Sequence, residues 1–529
     1  MSRRVVPLSY LLLASVYLLY WPDAEFVLDD WFQFQFYSQH PLWEVLRTLL
    51  QNKLYSTFQL FWLSCWVDAL AVKLLGYAPR VFFTLAVLVH VINAWLLCRL
   101  ASRLRVNPVM AWLAGALFVL IPTAHGPLFW NLATGFYRLS LLLLLMYFIS
   151  LVENRPAWQQ GLLAAAVLFT GGAIQFCLLL FGGPWLAVCL VPREKWKGAA
   201  RSVGLCWAVM ALGLAIYVPF INRIPPSQGQ IQARYDFSRD FLVNNWRKFY
   251  AYHLPGMSSF GPHAFYRLRA TAPQLLAAAG AALLVLFLAR RRPTETAGRA
   301  PGRIALFAAG LMALAYGPLI YLIGGTLRHY YTLSPYLSLL LAALCWMLPS
   351  GRAVTGAVLA AYFAACTVAE IQQCWQPMSR QAQELKAGLR QLRNLVTGDP
   401  VVVPGTPGAL GAAPNFTGAS GPWDRRFAEV VIGVEDLEFW REIVIEKGRP
   451  RLFRQGAMRD TSVAELGRAH VLVGGRFGPY QVRRYWAGPD GLHCLKDVPC
   501  TEPPPAGADH DQVYFAKPFE HGNIDHLHY

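Results

Sequence analysis

The sequence predicts a polytopic α-helical membrane protein carrying a separate α/β soluble domain at its C-terminal end. Three observations predict it. Hydrophobic residues make up 55% of the 529 and charged residues only 15%, where an average soluble domain has about 25% charged. Apolar runs follow one another through the first 373 residues, and mean hydropathy is +0.35. Basic residues cluster in alternate loops between those runs, the mark of membrane-flanking segments.

Taken in order, the candidate spans are Val5–Trp21, Arg80–Leu100, Pro108–Pro122, Phe136–Val152, Gly161–Gln175, Phe176–Val191, Val203–Ile221, Pro273–Ala289, Ile304–Ile323, Tyr331–Leu348 and Val354–Ile371. That is about eleven, several of them short against the ~20 residues that cross a bilayer. The first ends in Tyr17, Tyr20 and Trp21, an interfacial aromatic belt with no small-residue cleavage site, so it reads as a retained helix and not a signal peptide.

With the N-terminus inside, every short inner loop is basic. These loops hold Arg3 and Arg4; Arg99, Arg103 and Arg105; Arg155; Arg193, Lys195, Lys197 and Arg201; Arg290 to Arg292 with Arg303; and Arg352. An odd number of spans then places the C-terminal end outside. The net charge of +17 is largely explained by these loops, which excludes a nucleic-acid-binding reading.

Two outer loops are long, 22–79 and 222–272. The first opens with Glu25-Phe26-Val27-Leu28-Asp29-Asp30-Trp31, directly past the first span. Adjacent carboxylates at a membrane surface suit a general base that meets a lipid-borne substrate on one side and a soluble acceptor on the other. A solvated pair capping an interfacial helix has the same sequence. The second loop interleaves Arg234, Arg239, Arg247 and Lys248 with Tyr235, Trp246, Phe249 and Tyr250, a composition that serves sugar and phosphate binding or an anionic membrane surface equally.

The motifs around these loops resemble those of GT-C glycosyltransferases, most closely the bacterial relatives of the transmembrane-and-TPR O-mannosyltransferases. The acidic phrase is Phe26-Val27-Leu28-Asp29-Asp30. Tyr55-Ser56-Thr57, Asp68, Gly76-Tyr77 and His90-Val91-Ile92-Asn93 follow in the family's order. Pro122, Gly126 and Trp130 echo an element in which Gly126 stands where the family has Glu. Arg328-His329-Tyr330-Tyr331 with Pro335 matches a late element. The likeness covers residues 1–373, the expected GT-C-like domain, and no TPR periodicity follows it.

The resemblance implies an inverting enzyme that moves a sugar from a polyprenyl-phosphate donor to a hydroxyl of a glycan, lipid or protein acceptor. Asp29 or Asp30 would take the hydroxyl proton, and the pair could instead hold a divalent cation. Arg328, with His329 and Tyr330 beside it, would bind the leaving phosphate, because a guanidinium offers bidentate donors and keeps its charge. His90, Asn93 and Tyr55 complete the expected binding residues, although a His and an Asn on one helix face also serve helix packing. The expected location is a bacterial inner membrane with the C-terminal domain in the periplasm. The alternative is a non-catalytic transporter or flippase of lipid-linked glycans, which should show broken helices and repeated halves.

Residues 374–529 form the expected outer domain. Arg380–Leu395 has helical spacing, and Val401–Val403, Glu429–Val434, Ile443–Ile445, His470–Val473 and Gln481–Trp486 read as strands. Cys494 and Cys500 are expected to form a disulfide in an oxidising compartment. Zinc binding with His493 and His510 matches no common spacing. The other cysteines lie in or beside apolar runs and read as small buried hydrophobes.

Overall fold

The computed structural model describes, apart from short interruptions, residues 5–26, 29–51, 62–183, 196–217, 239–253, 268–290, 301–320, 327–348 and 351–386, with strand segments between 401 and 495. The chain divides into two compact units, one of 1–22 with 37–372 and one of 23–36 with 373–528.

The helices run α1 (Val5–Ala14), α2 (Asp29–Gln39), α3 (Leu42–Leu50), α4 (Trp62–Leu75), α5 (Pro79–Arg103), α6 (Pro108–Leu120), α7 (His125–Phe129), α8 (Gly135–Val152) and α9 (Ala157–Thr170). There follow α10 (Trp196–Tyr217), α11 (Arg239–His253), α12 (Ala272–Arg290), α13 (Pro301–Tyr316), α14 (Leu327–Tyr330), α15 (Ser334–Met347) and α16 (Arg352–Glu370).

The expected count of about eleven spans is corrected. Among the described residues five helical stretches are long and apolar enough to cross a membrane: Pro79–Arg103, Gly135–Val152, Ala272–Arg290, Pro301–Ile320 and Arg352–Arg380. A sixth arises if Pro108–Leu120 and Pro122–Phe129, bent by 56°, are one span. The chain is therefore a mostly α-helical integral membrane protein, and its described residues hold fewer full-length spans than the apolar runs suggest; the expected spans at 176–191 and 203–221 lie partly outside them.

The physical reason is that hydropathy records exclusion from water and not helix continuity. The first run is α-helical only to Ala14 and continues as a 3-10 turn over Ser15–Leu19. The run at 108–122 breaks because Pro122 has no N–H and forces the residue before it out of helix; Ile121 is extended, with φ −72° and ψ 128°. The runs at 161–175 and 331–348 yield helices of 14 residues each, Ala157–Thr170 and Ser334–Met347.

α6 is the centre of the helical unit. Every residue from Met110 to Leu120 is buried, so this helix is apolar all round because protein surrounds it. It packs on α1, α5 and α15. On the α1 side Tyr10 donates its hydroxyl to Trp112 O at 2.9 Å, and Trp112 Nε1 donates to Ser9 Oγ at 2.8 Å. Gly115 allows that approach. A Cβ there would overlap the Tyr10 hydroxyl and lie 2.8 Å from Ala94 O. Gly115→Ala is expected to cost about 1–3 kcal/mol through overpacking, read as a lower unfolding midpoint in detergent.

The α/β expectation for the C-terminal residues is also corrected. Beyond residue 386 the described residues are strands, with no helix among them: β1 (Val401–Val402), β2 (Ala409–Leu410), β3 (Ala413–Pro414), β4 (Phe439–Trp440), β5 (Glu442–Glu446), β6 (Arg449–Arg454), β7 (Ala457–Asp460), β8 (His470–Val473), β9 (Gln481–Gly488) and β10 (Gly491–Leu495). β5-β6-β7 and β8-β9-β10 pair antiparallel, and only β1 makes parallel pairs, with β4 and β8. The intervals Lys447-Gly448, Gln455-Gly456 and Pro489-Asp490 are two residues long, enough for a hairpin and far too short for the crossover helix an α/β unit needs. The expected strand at 429–434 lies outside the described residues.

Candidate functional site

The break between α6 and α7 orphans the last carbonyls of α6 inside the protein, where no bulk water can satisfy them. Side chains from three other segments do so. Tyr17 donates its hydroxyl to Val119 O at 2.7 Å, and Thr367 Oγ1 donates to Leu120 O at 2.6 Å. His90 Nε2 lies 3.4 Å from Val119 O, and its Nδ1 lies 3.1 Å from the Tyr331 hydroxyl. The tautomer protonated on Nε2 satisfies both contacts, with Tyr331 donating to Nδ1. Asn93 Nδ2 then approaches the Tyr331 oxygen at 3.4 Å and donates to Arg138 O at 3.0 Å. His90, Asn93 and Tyr331 are fully buried.

The same break carries a buried imidazole–carboxylate contact. His125, the first residue of α7, has Nδ1 3.0 Å from Glu370 Oε1 at the end of α16, and the two side chains are 0% and 3% exposed. The Tyr17 ring stands edge-on to both His90 and His125, and Phe129 packs against His125 with centroids 5.0 Å apart. Among the described residues His125 Nε2 has no hydrogen-bond partner. A cation is buried nearby in sequence: Arg138, in the first turns of α8, donates to Asn131 O at 3.0 Å. At the start of α8, Gly135 makes room for an acid, since a Cβ there would sit 2.9 Å from Asp68 Oδ2.

α14 packs on α7 and on the Pro122–Ala124 turn. Thr123 and Ser334 share a short hydroxyl contact across that junction. His329 is half-buried against the edge of Tyr137, with centroids 6.0 Å apart, and Tyr330 is buried beside Tyr316. α11, from the second long loop, docks at the same place. Asn245 Nδ2 donates to Leu319 O at 3.2 Å and to Ile320 O at 2.7 Å, and Tyr316 returns a hydroxyl bond to Asn245 O. Trp246 and Phe249 close on the Tyr316 ring.

The carboxylates of the first loop belong to the other unit. Asp30, in the first turn of α2, is fully buried, and Trp31 packs edge-on against Phe26. Two acids before it are ion-paired: Asp23 accepts two bonds from Arg380, at 3.1 and 3.2 Å, and Glu25 accepts from Lys386 Nζ at 2.9 Å. A carboxylate in a first helical turn also faces the unsatisfied N–H groups there.

The expected residues therefore divide. His90, Asn93, His329 and Tyr330 lie in the helical unit, the first two joined through Tyr331. Asp30 is built into the unit that holds Arg380 and Lys386. Arg328 is placed only by the backbone of α14, and Asp29 only by that of α2. Tyr55 and Cys500 lie outside the described residues. Cys494 is in β10 opposite Tyr485, its side chain outside the description. Among the described residues no three His, Cys, Asp or Glu side chains gather as a metal site.

His125, Glu370, Arg138 and Tyr17 are the residues that motif reading passes over. For Tyr17, Arg138 and Glu370 the signal is a polar group within an apolar run, which in a membrane marks function or pairing; His125 lies between two runs and gives no such signal. Gly126, where the resembled motif has its acid, directly follows His125, and the acid beside that histidine comes from α16. Comparison with protein-family models and with curated proteins finds no match.

Proposed function

We propose that this protein is a membrane glycosyltransferase that moves a sugar from a polyprenyl-phosphate donor to an acceptor hydroxyl, with inversion, using an aspartate of the Asp29-Asp30 doublet as general base. The observation that carries the reading is the burial of Asp30. A doublet serving only as a solvated helix cap would be open to water, whereas Asp30 is 0% exposed, and Asp23 and Glu25 before it are neutralised by Arg380 and Lys386. In the proposed reaction, shielding from bulk water would direct proton transfer to a bound hydroxyl. The proposed setting is a bacterial inner membrane with residues 374–529 outside.

The leaving lipid phosphate gains negative charge and needs a fixed cation, the role proposed for Arg328 with His329 and Tyr330 at hand. Arg328→Ala is expected to weaken both donor binding and turnover, and Arg328→Lys to restore them in part, because an ammonium cannot reproduce the guanidinium fork. Unchanged kinetics in the Ala variant would remove Arg328 from the site.

One observation favours a second reading, a transporter or flippase of lipid-linked glycans. The 56° break between α6 and α7, lined by buried His, Tyr and Glu side chains, is the kind of discontinuous span that transporters place at their binding sites. Full-length protein in sealed vesicles separates the two. A labelled polyprenyl-phosphate sugar that ends covalently on a hydroxyl acceptor identifies the enzyme. Movement of intact donor across the bilayer without transfer identifies the transporter.

A further inference from the structure

The ends of α5 and α8 are closed by the same device. In each, the residue after the cap lies in the left-handed region, Arg105 at φ 60° and Asn154 at φ 54°. Val106 N donates to Ala101 O at 3.1 Å and Arg105 N to Ser102 O at 3.1 Å. Arg155 N donates to Ser150 O at 2.9 Å and Asn154 N to Leu151 O at 3.1 Å. These are paired Schellman caps, and glycine is the residue that usually takes the left-handed place. Here an arginine occupies one of the two.

The caps gather three guanidinium groups on one carboxylate. Glu153 Oε1 lies 2.8 Å from Arg103 Nε and 3.3 Å from Arg99 Nη2, and Glu153 Oε2 lies 2.9 Å from Arg155 Nη2. Three positive charges against one negative leave the cluster at +2. Each guanidinium carries five donors, so a single carboxylate leaves most of them for another acceptor. The exposures point the same way: Glu153 is only 10% exposed, while Arg99, Arg103 and Arg155 are 37%, 51% and 54% exposed. Arg99 also lies over the Trp95 ring, at 5.8 Å, an aromatic partner suited to the headgroup level.

We propose that Arg99, Arg103 and Arg155, organised by Glu153, bind the phosphate of an anionic phospholipid headgroup. α5 and α8 both span the membrane by length and apolarity, so their ends stand where headgroup phosphates are, and planar guanidinium forks match phosphate oxygens bidentately. Partial burial pushes the Glu153 carboxyl up, and the Arg155 hydrogen bond with the Arg103 and Arg99 charges outweighs it, holding the carboxyl below the usual range. Glu153 thus stays ionised and keeps the three arginines converged. The site is independent of the reaction proposed above.

The test is thermal unfolding of the full chain in phosphatidylcholine nanodiscs, with and without phosphatidylglycerol. Phosphatidylglycerol is expected to raise the midpoint of the wild type. Arg103→Gln with Arg155→Gln should abolish most of that shift, and Arg352→Gln, which removes a basic charge elsewhere, should retain it. Glu153→Gln should shrink the shift in part, because the three arginines lose the carboxylate that converges them, an arm that survives should the double variant fail to fold. An unchanged shift in the double variant, or an unchanged or larger one in Glu153→Gln, overturns the proposal. Equal loss in Arg352→Gln overturns it in favour of general surface charge. Inorganic phosphate added to phosphatidylcholine discs should give no shift, and a shift equal to that of the lipid would mean a free-anion site instead.

Discussion

Asp30→Asn is expected to lower sugar transfer by about 10²–10⁴-fold, the usual contribution of general-base catalysis, with the unfolding midpoint in detergent close to wild type. Asn keeps the shape of the side chain and its acceptor oxygen but cannot take up a proton near neutral pH, so the substitution separates chemistry from packing. Asp29→Asn belongs in the same experiment, because the proposed base is one member of the doublet. Asp23→Asn is the contrasting control. Asp23 holds Arg380 through two bonds at 3.1 and 3.2 Å, so its loss should lower stability and leave the rate per folded molecule near wild type. The assay is transfer from a labelled polyprenyl-phosphate sugar, beside thermal unfolding of each variant. Full activity in both doublet variants would leave Asp29 and Asp30 as structural acids and remove the support for an enzyme.

Breaking the His125–Glu370 pair should destabilise the helical unit by about 3–5 kcal/mol, the range for removing one partner of a buried ion pair. Both side chains are almost fully enclosed, at 0% and 3% exposed, so water cannot replace the missing partner. His125→Leu removes the imidazole from the Glu370 carboxylate beside a helix break. Glu370→Leu leaves the imidazole without its partner and adds an apolar chain of similar reach. The double substitution His125→Leu, Glu370→Leu should recover much of the loss, because replacing a whole buried pair by apolar groups is often near neutral. Denaturant midpoints of the three variants measure this coupling. Single variants as stable as wild type would show that the pair carries no charge in the folded protein. The double variant also has a functional use: stable but inactive protein would assign the pair to the site, and stable active protein would assign it to the fold.

Much of the architecture is legible in the sequence because it depends on local patterning. Long apolar runs such as 80–100, 136–152 and 354–371 become membrane-length helices, since a helix in lipid satisfies its own backbone groups within the segment. The basic residues Arg99, Arg103 and Arg155 announce helix ends for the same local reason. Three decisions lie beyond that reach. The span at 108–122 breaks at Pro122, and the break is tolerated because Tyr17, His90 and Thr367 reach the freed carbonyls, Thr367 from 247 residues away. The count of spans follows from such breaks, which composition does not register. The described C-terminal residues are strands and not the α/β domain expected, and the two-residue intervals after β5, β6 and β9 leave room for hairpins only. The candidate site shows the same limit. The motifs point to His90, Asn93, His329 and Tyr330 as candidates, whereas the pairing of His125 with Glu370 and the enclosure of Asp30 arise only when distant segments pack. Hydrophobicity and charge are properties of neighbours along the chain, and the partner of a buried polar group is set by neighbours in space.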